Sequence, residues 1–138
     1  MKAIQQHKKI FSTKELQDLY SKLTQAKGLL FFINKHVQDN KTLCFEYDIN
    51  HGLLWGIEAL ITDCYDLLIK NGDTGQSLSK YYIKLYEPLI QAKATILFII
   101  THVEENKKFL CDIEILESVL LNITFLINKA LNKILEGE

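Results

Sequence analysis

The sequence predicts an all-α protein: an antiparallel up-down-up-down four-helix bundle built from two tandem helical hairpins. Three observations predict it. Apolar residues recur at three- and four-residue spacings along most of the chain, the pattern of an amphipathic helix. Segment 11–72 returns as segment 77–138, without gaps, at an offset of 66 residues. Turn-forming residues concentrate between the two copies, at Asn71-Gly72-Asp73-Thr74-Gly75. Residues 1–138 are read as a single domain, because 138 residues suffice for one core and not for two ordinary ones.

The elements follow in order. Ser12 and Glu15 have the spacing of a capping box, which starts the first helix near Ser12. Its stripe is Leu16, Leu19, Leu23, Ala26, Leu30, Ile33 and Val37, and Asn40-Lys41 end it. A short loop is expected from Thr42 to Tyr47, with Asp48 as N-cap of the second helix. That helix carries Leu54, Ile57, Ile61, Cys64 and Leu68 and stops at Asn71-Gly72. The third helix starts near Ser77 or Ser79. It contains Pro88 where the first copy has Lys22, so one backbone hydrogen bond is lost and a kink is expected. The fourth runs from about Asp112 to Leu135 on Leu120, Ile123, Ile127, Ala130 and Ile134. One hairpin alone would leave its apolar stripe wet; the second copy closes the core.

The repeat is strongest from Leu19 to Lys41, where 12 of 23 positions are identical to Leu85–Lys107. Core positions account for several pairs: Leu23/Leu89, Ala26/Ala92, Ile33/Ile99 and Val37/Val103. Others fall on one flank of the helix. Gln25, Phe32, His36 and Asn40 are matched by Gln91, Phe98, His102 and Asn106. Spacings of 7, 4 and 4 keep them in line at about 100° per residue, mostly about 100° from the core positions. Core packing does not require such a flank to appear twice. These eight residues are the candidate partner- or ligand-binding surface, with phenylalanine as anchor and amide and imidazole as specificity groups. Phe packing beside the next helix, His and Asn satisfying loop carbonyls, or a relic of the duplication would also account for them.

Some helices carry more apolar residues than a bundle core needs. Ile96–Ile100 is unbroken, and Val119–Leu126 is interrupted only by Asn122 and Thr124. A helix apolar nearly all round is buried on more than one face, so a second chain or a helical partner is expected to cover the surplus. Gly52, Gly56 and Ala59 form a small-residue stripe, expected to let a neighbouring helix of the same bundle pack closely, since each glycine costs about 1 kcal/mol against alanine. Lys27 and Lys93 repeat on the apolar side and read as snorkelling lysines.

Several functions are not expected. There is no Walker loop, GxGxxG, GxSxG, HExxH, phosphotransfer HxxKG or Cys/His zinc spacing. The formal net charge is −1 and all 16 basic residues are lysine, so the usual bidentate reader of phosphate and guanine is missing and nucleic acid is an unexpected partner. The longest apolar stretch, Ala94–Val103, is about half the ~20 residues that span a bilayer, so no membrane partner is expected. The lysine-bearing N-terminus has no apolar h-region, so no secretory signal is expected. The three cysteines, Cys44, Cys64 and Cys111, form no CxxC and suit a reduced, cytoplasmic compartment. The sequon Asn122-Ile123-Thr124 lies in an apolar helical run and reads as coincidence.

The sequence thus points to a non-enzymatic interaction module: a small adaptor, inhibitor or regulator, homodimeric, with no cofactor and no metal. The alternative is a small-molecule or metal-binding bundle, a sensor or an enzyme of unrecognised type, with His36 and His102 converging on a pocket at the loop end. Asp48 and His51 have a helical ligand spacing, but the second copy has Glu114 and Glu117 instead, which is not the Glu-x-x-His pairing of a di-metal bundle.

Overall fold

The computed structural model of the chain describes residues 10–40, 47–72, 79–106 and 113–137. They form four helices, α1 (Thr13–Asn40), α2 (Tyr47–Gly72), α3 (Lys80–Asn106) and α4 (Ile113–Glu136), with no strand among the described residues. Each helix packs on two others in the ring α1–α2–α3–α4. Helices α1 and α3 stand on one diagonal of this bundle, α2 and α4 on the other.

The helix starts obey local chemistry. The Ser12 backbone N–H donates to Glu15 Oε1 at 2.9 Å, and the Glu15 N–H donates back to Ser12 Oγ at 3.1 Å, a complete capping box. These bonds, with the Ser12 amide the largest contributor, hold the Glu15 carboxyl below its usual value. The Asn71 side-chain amide adds a donor to Glu15 Oε2 at 3.2 Å. In α3 the cap is Ser79 rather than Ser77, its Oγ accepting the Tyr82 N–H at 3.1 Å. Helix α2 begins at Tyr47, so Asp48 lies within the first turn and not ahead of it. Helix α3 is continuous through Pro88. The expected loop at 42–47, for all but its last residue, most of the inter-copy linker, and Cys44 and Cys111 lie outside the described residues.

The core consists of the expected stripes except Leu16 and Ile134, which are half-buried at one end of the bundle. Leu19, Leu23, Ala26, Leu30, Ile33 and Val37 of α1 are buried, as are Leu54, Ile57, Ile61, Cys64 and Leu68 of α2. Helices α3 and α4 contribute Leu85, Leu89, Ala92, Ile96, Ile99 and Val103, then Leu120, Ile123, Ile127 and Ala130. Ile10 and Phe11 add to one end, the Phe11 ring lying 6.5 Å from that of Tyr81. Burial pushes the Cys64 thiol up to about 12, so it carries no thiolate at neutral pH.

One packing expectation fails. Gly52 and Ala59 are exposed, and a Cβ on Gly52 would meet nothing within 4 Å. A Cβ on Gly56 would touch only Leu29 Cδ1, at an ordinary 3.8 Å. The small-residue stripe therefore brings no helix into close approach. Gly52 and Ala59 lie about 160–180° from the core direction, on the outer face of α2, and Gly56 about 120° from it, toward α1.

No helix among the described residues is long and apolar enough to cross a membrane.

Candidate functional site

The repeated flank is where the 100° arithmetic puts it, outside the core in both copies. Phe32 is 53% exposed and Phe98 68%. Gln25 and Gln91 are exposed, while His36 and His102 are half-buried. Gln25 Nε2 donates to Ser21 Oγ at 3.2 Å. Gln91 lines a groove between α3 and α4 with Pro88, Lys129 and Asn132. The side chains of Asn40 and Asn106 lie outside the described residues. An exposed phenylalanine at the same turn of both copies has left water only partly, and retains about half or more of its apolar area for another surface.

The two histidines stand on diagonal helices, α1 and α3, which do not pack on each other. Among the described residues no group of three or more His, Cys, Asp and Glu side chains is placed to hold a metal.

A second constellation is absent from the sequence reading: a polar seam between α2 and α3. His51, Trp55, Glu58, Thr62 and Tyr65 follow one another at helical spacing along α2. At one end, His51 Nε2 and Glu104 Oε1 are 2.8 Å apart. The Trp55 indole N–H lies 2.8 Å from His51 Nε2 and 3.2 Å from Glu104 Oε1. With hydrogen on Nε2, both rings donate to the one carboxylate oxygen; in the other tautomer, His51 accepts from the indole. Below them, Glu58 is buried and accepts a hydrogen bond from the Thr62 hydroxyl. At the other end, Tyr65 and Tyr86 are 5.8 Å apart, Tyr82 and Tyr86 stack at 6.0 Å, and the Tyr82 hydroxyl donates to the Leu68 carbonyl at 2.8 Å. A hydrogen bond with Tyr65 raises the Tyr86 hydroxyl above its ordinary value. Lys93 lies over the Tyr65 ring at 4.8 Å, so this lysine binds an aromatic face rather than only snorkelling. The seam's polar groups partner one another, and its chemistry is that of a lock between two helices.

The two copies differ at several positions of this seam. At the 66-residue offset His51 faces Glu117, Trp55 faces Leu121, Tyr65 faces Leu131, Leu16 faces Tyr82 and Gln38 faces Glu104. Differences also fall on other faces, Gly52/Ser118, Ala59/Phe125 and Asp63/Lys129 among them.

The corresponding seam between α1 and α4 is packed but carries a groove at one end. Leu16, Tyr20, Ile134 and Leu135, with Thr13 and Gln17, line an apolar groove of about 410 Å³. Comparison with family models, curated proteins and solved structures finds no match for this chain.

Proposed function

We propose that the chain is a helical protein–protein interaction module, with no reaction of its own, that works in the cytoplasm as a homodimer and binds its partner through helix flanks. The observation that carries this reading is the twice-placed exposed phenylalanine, Phe32 and Phe98, on a bundle whose interior is already filled by aliphatic side chains. Exposed aromatic anchors beside amides are the usual composition of a binding surface. The diagonal placement of His36 and His102 weighs against the ligand-binding alternative, which needs them at one pocket.

The same reading includes the finer architecture: an antiparallel up-down-up-down bundle in one domain, made from hairpins 11–72 and 77–138. It is supported by the order of contacts. Glu15 meets Asn71 while Lys22 meets Asp63 at 3.4 Å; Tyr82 meets Leu68 while Glu104 meets His51. Matched burial supports the duplication: Leu23 and Leu89, Ile33 and Ile99, Ile57 and Ile123, and Ile61 and Ile127 are all fully buried.

The test is Phe32→Ala and Phe98→Ala, singly and together, in the full chain used as bait in extracts of its native host. Partner retention should fall while helicity by circular dichroism holds. Unchanged retention removes the flank from the binding surface.

A further inference from the structure

Helix α4 exposes more large apolar side chains than any other described helix: Ile115, Leu121, Phe125 and Leu135. From Ser118 to Asn128 it carries no charged residue. Within that run Leu121 and Phe125, one turn apart, are 49% and 58% exposed, and Ser118 and Asn122 beside them are exposed as well. Charge resumes only at the ends of the run, acidic before it at Glu114 and Glu117, basic after it at Lys129 and Lys133.

Three of these four charges, Glu114, Glu117 and Lys129, have no ion-pair partner among the described residues of their own chain. Lys133 pairs with Glu136, Lys22 with Asp18 and Asp63, and Lys35 with Asp39. Glu114 has no such partner, and the Lys129 ammonium rests over the Phe125 ring at 5.5 Å.

We propose that this face of α4 is the contact between two copies of the chain, the α4 helices lying antiparallel about a twofold axis near Leu121 and Asn122. The proposal rests on the homodimeric reading above and names its surface. A twofold contact must be self-complementary. The antiparallel register sets Glu114 opposite Lys129 of the second copy and Phe125 opposite Ser118 of the second copy, a large side chain against a small one. Leu121 sits at the axis. The parallel alternative would set glutamate on glutamate and lysine on lysine, so charge selects the antiparallel one. Opposed helix dipoles add to that choice. The stretch from Glu114 to Lys129 is about 24 Å long at ~1.5 Å per residue, a contact of the small, reversible class.

The experiment is sedimentation velocity on the untagged full chain from about 1 to 200 µM in low salt, where exposed ion pairs are least screened. Wild type is compared with Glu114→Lys, Lys129→Glu, the double reversal, and Leu121→Ser/Phe125→Ser. Each single reversal acts twice in a twofold dimer and should weaken association by about tenfold. The double reversal should restore it to within about threefold of wild type, and the serine variant should remain monomeric with unchanged helicity. A wild-type dimer indifferent to all four variants overturns the α4 surface and leaves the homodimeric reading standing. A wild type monomeric across the whole range overturns both.

Discussion

Two seams of the bundle that correspond at the 66-residue sequence offset differ in kind. Between α2 and α3, Tyr65 meets Tyr86 and Lys93, and His51 and Trp55 meet Glu104, across the helices. Between α4 and α1, the positions of Tyr82 and Tyr65 are taken by Leu16 and Leu131, and an apolar groove stays open beside Tyr20, which is 41% exposed. Tyr20 and Tyr86 are the same residue at the same repeat position. One is stacked between two other tyrosines, the other edges a groove. The surroundings, and not the residue, decide whether a repeated aromatic is structure or surface. Polar partners tie one seam across its helices, while the groove of the other is lined mainly by apolar side chains.

That contrast is open to direct attack. The largest effect is expected from Tyr86→Ala, which removes the stack on Tyr82 and the contact with Tyr65. Urea unfolding should show a loss of about 2–3 kcal/mol, against less than about 1 kcal/mol for Tyr20→Ala, whose ring is already partly solvated. Equal losses would mean that the two seams are not different in kind. Next comes the capping box at the start of the grooved seam: Ser12→Ala should cost about 1 kcal/mol. Glu15 titrates below its unfolded value, so its contribution is complete above the ordinary carboxyl range and is lost as the pH falls through the lowered value. Ser12→Ala should therefore flatten the acid limb of the stability–pH profile; an unaltered limb would contradict the assignment.

Gly28 offers a stabilising change. A Cβ there would meet nothing within 4 Å, and the second copy has Ala94 at the same place. Gly28→Ala should raise stability by about 0.5–1 kcal/mol, read as an increase in the urea midpoint. The smallest effect is expected from Leu135→Ser in the open groove. Leu135 is 68% exposed, and the change should move stability by no more than about 0.5 kcal/mol. A loss several times larger would show that this side chain is covered in the free protein.

Helix number, helix boundaries and core were legible because each is set by short-range rules. Ser12 with Glu15 wrote the first cap, and the stripe from Leu19 to Val37 wrote the buried face. The exposed flank of Phe32 and Phe98 was legible for the same reason, since angular position on a helix follows from spacing alone. The α2–α3 seam was not. Glu104 meets His51 across 53 positions of sequence, and no local period announces which residue of another helix lies opposite. The glycine stripe misled for a related reason: Gly52 and Gly56 permit close approach, but whether a neighbour occupies that side is decided by the ring of helices. Asp48 illustrates the finer limit, since a helix that starts two residues early turns an expected cap into a first-turn residue.

The most direct test of an interaction module is native mass spectrometry of the freshly purified, untagged protein at low micromolar concentration. The expected result is a dimer at twice the bare polypeptide mass, with no retained small molecule. A monomer carrying a stoichiometric mass excess that is lost on unfolding would contradict it, and would make the bundle a ligand carrier.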